Sequence, residues 1–94
     1  MHYQLIFHRE VPYEASEITE GHIYRERVDA HKCAYEYYKA HFTEGATLFA
    51  DIEEYGELLS VSDFIAALTS SGQLLISATD GSHTYISYAE SVIE

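Results

Sequence analysis

Carboxylates crowd into one short stretch of the sequence. Asp51, Glu53, Glu54 and Glu57 lie within a single seven-residue segment, and Asp63 follows it closely. Paired carboxylates can act as general acid and base, and carboxylate oxygens in a loop can bind Ca²⁺. The segment does not have the ligand spacing of an EF-hand loop. Nothing in it separates a catalytic pair from a solvated acidic surface. We therefore predict no cofactor and no metal here, and assign these residues to binding.

A second group of reactive side chains lies around His31, Cys33 and His41. At 100° per residue on a helix, Cys33 points about 160° away from His31, so the two cannot share a metal or form a base–nucleophile pair. We expect His31 to be buried with a hydrogen-bond partner and Cys33 to be a surface thiol. The sequence also has no Walker, dinucleotide-binding, Cys-x-x-Cys, His-Glu-x-x-His or Gly-x-Ser-x-Gly motif. The chain is predicted not to be an enzyme.

The clearest periodic pattern predicts a helix over residues 22–42. Apolar residues recur there at intervals of four and three, which places them on one face: Tyr24, Val28, His31, Tyr35, Tyr38 and Phe42. Thr19 could cap its N-terminus, after an irregular connection over 9–21. Three tyrosines outside this stripe, Tyr13, Tyr37 and Tyr55, are the ones expected at the surface.

The other elements follow from local signals. Residues 2–8 read as a strand. Residues 61–71 read as a helix that Ser60 or Ser62 can cap and Gly72 can end. Asp80-Gly81 predicts a two-residue hairpin turn that would pair Leu75 with Ile86.

Residues 46–59 fit two patterns. In a strand, Leu48, Ala50 and Ile52 would alternate with the residues between them, and Tyr55-Gly56 would make the turn. In a helix, apolar residues would fall at intervals of four, three and four, and an interior Gly56 would cost about 1 kcal/mol. We favour the strand. The predicted fold is α+β: a single small domain over 1–94, with a mainly antiparallel sheet of 4-5 strands and two helices on one face, in the order β-α-β(-β)-α-β-β.

Charge is the most unusual property of the composition. The 94 residues carry a net charge of −11, and all five basic residues precede residue 40: Arg9, Arg25, Arg27, Lys32 and Lys39. The second part of the chain is therefore negative without compensation, which argues against direct binding to nucleic acid or to an anionic membrane. A basic protein surface would be attracted. No apolar run is long enough to span a membrane, and we expect a cytoplasmic protein.

These features favour a non-enzymatic interaction protein. We predict that its partner-binding residues are Asp51, Glu53, Glu54, Tyr55, Glu57 and Asp63. Carboxylates two apart on a strand lie about 6.6 Å apart, which is comparable to neighbouring backbone phosphates, so Asp51 and Glu53 could mimic a nucleic acid. In composition the chain resembles small acidic phage-encoded inhibitors of restriction or CRISPR machinery, which would act in the host cell cytoplasm. The alternative is a self-associating regulatory module, a homodimer formed through the Tyr-rich helix or a sheet edge.

Overall fold

The computed structural model describes residues 2–12 and 17–91, which form one antiparallel sheet and two helices. In chain order the elements are β1 His2–Glu10, β2 Glu17–Tyr24, α1 Arg27–His41, β3 Thr47–Ala50, β4 Glu53–Tyr55, α2 Val61–Ser71, β5 Gln73–Ser77 and β6 His83–Ser91. The six strands lie in the order β2-β1-β6-β5-β3-β4. The predicted α+β class is confirmed. Within the described residues, neither helix is long and apolar enough to cross a lipid bilayer.

Strand β2 is the element that the sequence prediction missed. It pairs antiparallel with β1, opposing Tyr24 to Tyr3, and it occupies residues that we assigned to a connection and to the start of the helix. The register shifts between Leu5 and Phe7, beside Gly21, where an added Cβ would lie 3.4 Å from the Leu5 carbonyl oxygen. That distance is an ordinary van der Waals contact, so the space around Gly21 does not by itself require a glycine. Thr19 lies within the bounds of β2, and the N-cap of α1 is Glu26.

Helix α1 begins at Arg27, and it buries His31 and Tyr38 of the predicted stripe with a face that is rotated toward Ala30 and Ala34. Its buried residues are Ala30, His31, Ala34 and Tyr38, whereas Val28 is 69% exposed. The two alanines face the sheet because small side chains let a helix approach it closely. Tyr37 also turns inward and stacks on Phe7 with ring centroids 3.9 Å apart, so its predicted surface position is wrong. Tyr13 lies outside the described residues.

Cys33 is half-buried and contacts the core, contrary to the prediction of a surface thiol. The rotation of the buried face toward Ala30 and Ala34 brings Cys33 to the edge of that face. Its side chain hydrogen-bonds that of Tyr24. Burial, together with this hydrogen bond, raises the pKa of Tyr24 to about 12.

His31 is buried, as predicted, beside the ring of Tyr88 at 5.3 Å. Its Nε2 is covered and has no hydrogen-bond partner among the described residues, so the expected partner is missing at this atom. Burial is the main cause that lowers the pKa of His31, and the positive charge of Arg27 lowers it further. The negative charge of Glu90 opposes this shift.

The lowered pKa of His31 predicts that mild acid destabilises the fold. A histidine with a lower pKa in the folded chain binds fewer protons there than in the unfolded chain. The free energy of unfolding should therefore fall as the pH drops below about 6.5, the ordinary histidine pKa. Urea unfolding at pH 7.5 and 5.5 measures this loss, which should be smaller in His31→Leu. His22→Leu, at an exposed position, controls for loss of a histidine as such. An unchanged loss in His31→Leu would contradict the assignment.

The β5–β6 hairpin is offset by one residue from its predicted register. Leu74, not Leu75, opposes Ile86, and Leu75 opposes Tyr85. The reason is a longer loop: Ala78 N–H donates to the Ser82 carbonyl oxygen at 3.0 Å, and only Gly81 of the loop has a positive φ, at 89°. Asp80-Gly81 thus belongs to a three-residue loop with a left-handed glycine, and not to a two-residue turn.

The ambiguous segment forms strands β3 and β4, as we favoured. The turn, however, lies at Asp51 and Ile52, with Asp51 in the left-handed region at φ 56°, and not at Tyr55-Gly56. The following helix matches its prediction: Ser60 Oγ accepts from Asp63 N–H at 3.3 Å and Gly72 ends the helix at φ 77°. Capping interactions at Ser60 and Gly72 determine where α2 begins and ends.

The core lies between the two helices and one face of the sheet. Alternate strand residues enter it together with helix residues, forming one cluster of buried apolar side chains: Leu5, Phe7, Ala30, Ala34, Tyr38, Ala46, Leu48, Ala50, Phe64, Leu68, Leu74, Ile76, Ile86 and Tyr88. The residues between them point to the opposite side of the sheet, which we call the open face. Both helices lie on the core side, so the described chain covers one face of its sheet only.

Candidate protein-binding surface

The predicted binding residues gather at the β4 edge of the sheet. Glu53, Glu54 and Tyr55 form β4, and Asp51 lies in the turn before it. Glu57 follows in the loop, and Asp63 lies in the first turn of α2. We call the five carboxylates Asp51, Glu53, Glu54, Glu57 and Asp63 the acidic edge. Because β4 and α2 are neighbours in space, Asp63 joins residues that lie well before it in sequence.

Tyr55 lies at the centre of the acidic edge. It lines a groove of about 390 Å³ with Glu53 and Asp63, and a second groove of about 350 Å³ with Glu54 and Glu57. Its hydroxyl donates a hydrogen bond to the Glu53 carboxylate. This bond is the main reason that the pKa of Tyr55 is raised, and the negative charges of Glu53 and Asp63 add to it. The ring of Tyr55 is half-buried, so neighbouring residues hold it in place while part of it stays accessible to a partner.

The charges of the acidic edge have no internal compensation. All five side chains are exposed. Among the described residues, ion pairs form only elsewhere: His8 with Glu10, Arg27 with Glu90, and Lys39 with Glu36. The carboxylates therefore remain available to an external cation.

Two apolar side chains at the acidic edge were not predicted as site residues. Ile52 is 97% exposed in the β3–β4 turn, and Leu58 is 51% exposed in the loop after β4. We had placed Ile52 in a strand, where it would face the core. The sequence signal that could have revealed it is the pair of glutamates that follows, because a buried position beside them is unfavourable.

Two tyrosines of α1 hold the loop of the acidic edge. The Tyr35 hydroxyl donates to the Leu59 carbonyl oxygen at 2.9 Å, and the Tyr38 hydroxyl accepts from the Leu59 N–H at 2.8 Å. The two hydrogen bonds fix the peptide units on either side of the Leu59 Cα, immediately before the Ser60 cap of α2. We call this arrangement the Leu59 clamp. It positions the segment between Glu57 and Asp63.

The acidic edge does not form the predicted row of evenly spaced carboxylates. Asp51 lies in a turn, so Asp51 and Glu53 are not two positions of one extended strand. Glu53 opposes Ala50, on the core side, whereas Glu54 opposes Phe49, on the open face. The carboxylates therefore surround both sides of the sheet edge and make a negative ridge.

The described residues contain no group of three or more His, Cys, Asp or Glu side chains placed to hold a metal ion. The acidic edge is accordingly described by its charge and its apolar residues alone. Comparison of the chain with protein-family models, with curated proteins and with solved structures found no match.

Proposed function

We propose that the protein is a non-enzymatic interaction protein whose acidic edge binds a basic surface of a protein partner. One observation carries this proposal: five exposed carboxylates without ion pairs surround a half-buried tyrosine. Carboxylates of this kind attract cationic side chains from a distance and favour rapid association. Ile52 and Leu58 add exposed apolar area that a partner can cover. Apolar anchors inside a charged rim are typical of protein interfaces.

The shape of the acidic edge favours a concave partner. β4 is the edge strand of the sheet, and the carboxylates of the acidic edge lie on both sides of it. A groove that binds nucleic acid is concave and basic, so a negative ridge could occupy it in place of the phosphates. The proposed mode of action is inhibition of a nucleic-acid-binding protein in the cytoplasm, as in phage-encoded inhibitors of restriction or CRISPR machinery.

The Tyr-rich helix supports this proposal better than it supports a dimer. Tyr38 is fully buried, Tyr35 bonds Leu59, and Tyr37 stacks on Phe7. These three side chains make their contacts within the domain. We therefore do not propose α1 as a dimer interface.

Charge reversal of the acidic edge should abolish partner binding. Glu53→Lys combined with Glu57→Lys replaces attraction by repulsion at two places, and we expect affinity to fall by at least about 100-fold, since close interfacial charge pairs are worth about 1.5–7 kcal/mol each. The measurement is affinity capture from the native host with mass spectrometry, followed by titration of the captured partner. Glu36→Lys with Glu44→Lys is the charge-matched control, because both residues are exposed and lie outside the acidic edge.

Salt and nucleic acid provide a second measurement on the same complex. The captured partner should dissociate as NaCl rises from 0.1 M to 1 M, where the Debye length falls from about 10 Å to about 3 Å. Double-stranded DNA should compete with the protein for the partner. A partner that stays bound in 1 M NaCl, or that binds the Glu53/Glu57 variant unchanged, would refute the proposal.

A further inference from the structure

An apolar groove lies between the two helices. Its volume is about 520 Å³, which is within the usual range of small-molecule sites. Three aliphatic side chains, Val28, Val61 and Ile65, line it together with the ring of Tyr35. Val28 and Val61 are both exposed, so the groove presents apolar surface to the solvent.

The groove is held in its open form by contacts within the domain. The Tyr35 hydroxyl donates to the Leu59 carbonyl oxygen at 2.9 Å, and its ring meets Phe64 edge-on at 5.4 Å. On Tyr35 also lies the ammonium group of Lys39, 5.2 Å from the ring centroid. His31, which is buried against Tyr88, completes the lining. A ligand therefore finds a preformed site and does not have to order these side chains.

The dimensions of the groove favour a narrow occupant. Its α1 residues come from three successive turns, at 27–28, 31–32 and 35–36, so it runs about 12 Å along that helix. The α2 wall consists of Val61 and Ile65, which are one turn, or about 6 Å, apart. A helix of a partner protein is about 10 Å wide and presents anchors over two turns. The α2 wall is too short for such a helix, whereas a single unbranched alkyl chain fits along α1.

The charge around the groove differs from that of the rest of the chain. Arg27, Lys32 and Glu36 line it. Arg27 pairs with Glu90 and Glu36 pairs with Lys39, each at 3.2 Å, whereas Lys32 forms no ion pair with the described residues. Three cations and two carboxylates leave one positive charge here, in a chain with a net charge of −11. The grooves at the acidic edge, in contrast, are lined by carboxylates. An anionic group is therefore attracted to Lys32.

We propose that this groove binds a free fatty acid, with the alkyl chain between the helices and the carboxylate at Lys32. The chain would lie on Val28, Val61 and Ile65, and the carboxylate would accept a hydrogen bond from the Lys32 ammonium group. Apolar walls with one placed charge are typical of sites that both hold and orient a small ligand. The groove shares no lining residue with the acidic edge, so this site is separate from the proposed partner-binding surface.

The test is calorimetric titration of the purified chain with sodium dodecanoate, below the concentration at which it forms micelles. We expect one ligand per chain and a dissociation constant below about 100 µM. The methyl NMR signals of Val28, Val61 and Ile65 should shift, because these groups line the groove. Octanoate has four methylenes fewer and should bind about 100-fold more weakly, since each buried methylene is worth about a factor of four.

The sign of the head group separates this site from general charge effects. Dodecyltrimethylammonium has the same alkyl chain and a positive head group, and a net charge of −11 attracts it everywhere else on the molecule. It should nevertheless shift the groove methyl signals with at least about 5-fold lower affinity than dodecanoate, because Lys32 repels it. Lys32→Glu should weaken dodecanoate about 5-fold and reverse this preference.

Two further variants control for apolar contact and for net charge. Val61→Asp places a carboxylate beside the alkyl chain and should weaken dodecanoate at least about 10-fold; an acidic residue at the start of α2 suits the helix, so the fold is kept. Arg9→Glu changes the net charge as Lys32→Glu does and should bind dodecanoate unchanged. Arg9 lies six residues along β1 from Tyr3, whose ring contacts Arg27, so it is about 20 Å from that end of the groove.

The acidic edge is tested independently. Glu53→Lys with Glu57→Lys should retain dodecanoate while losing the basic partner, so either proposal can fail without the other. Absence of binding up to about 1 mM dodecanoate would overturn the fatty-acid site. Equal effects of Lys32→Glu and Arg9→Glu would also overturn it, as would retention of the chain by phosphatidylglycerol vesicles, which would assign the groove to a membrane. A protein captured through Lys32 and Val61 by a chain that binds no dodecanoate would assign the groove to that protein instead.

Discussion

Replacing Phe64 by alanine should lower the free energy of unfolding by about 3–5 kcal/mol, the usual range for a buried phenylalanine. Phe64 is fully buried on α2, and its ring stacks on Tyr38 at 4.5 Å and meets Tyr35 edge-on at 5.4 Å. The change removes the side chain through which α2 contacts α1. A domain of this size is stable by only about 5–15 kcal/mol, so the variant should be close to unfolding at room temperature.

Urea unfolding followed by circular dichroism measures this loss. Val61→Ala, on the same helix and 50% exposed, is the control and should change stability by less than about 0.5 kcal/mol. A loss below about 1 kcal/mol for Phe64→Ala would mean that the two helices do not pack as described.

Removing the Tyr38 hydroxyl should cost about 1–3 kcal/mol, because Tyr38→Phe leaves the Leu59 N–H without its acceptor. The ring, its burial and its stacking are kept, so the effect reports the Leu59 clamp alone. Hydrogen exchange of the Leu59 amide should quicken by about 10-fold or more, since each 1.4 kcal/mol is a factor of ten.

Tyr35→Phe provides the comparison at the same residue, Leu59. It removes a donor to the Leu59 carbonyl oxygen, which is only partly buried and can accept from water instead. We expect a loss below about 1 kcal/mol. If Tyr35→Phe proves more damaging than Tyr38→Phe, the clamp does not work as assigned.

The parts of the fold that the sequence predicted are those with local signals. Helix α2 was predicted with its bounds, because the Ser60 cap and the left-handed Gly72 lie within the helix and its first neighbours. The strand assignment of 46–59 was also correct. Each of these rests on residues a few positions apart.

The errors arise where the local structure depends on contacts with residues that are distant in sequence. Strand β2 depends on its pairing with β1. The buried face of α1 depends on the sheet, which accepts Ala30 and Ala34 and leaves Val28 outside. The hairpin register changed by one residue because Asp80-Gly81 also fits a three-residue loop.

The same division applies to the acidic edge. Asp51, Glu53, Glu54 and Glu57 could be grouped from sequence, because they are adjacent along the chain. The exposure of Ile52 could not be predicted, because it depends on where the β3–β4 turn falls. The Leu59 clamp was not predicted either, because Tyr35 and Tyr38 were assigned to the apolar stripe of the helix and their hydroxyl groups were given no hydrogen-bond partner.

The short strand at the β4 edge has a consequence for aggregation. A sheet edge exposes unpaired backbone groups, to which a strand from another molecule can add. β4 limits this hazard twice: it is only three residues long, and two of them are the glutamates Glu53 and Glu54. Neutral substitutions of Glu53 or Glu54 would leave the edge strand uncharged, so that strands of other molecules could add to it. Lysine substitutions reverse the sign of the charge but keep the edge strand charged. Binding defects of lysine variants can therefore be interpreted without interference from fibril formation.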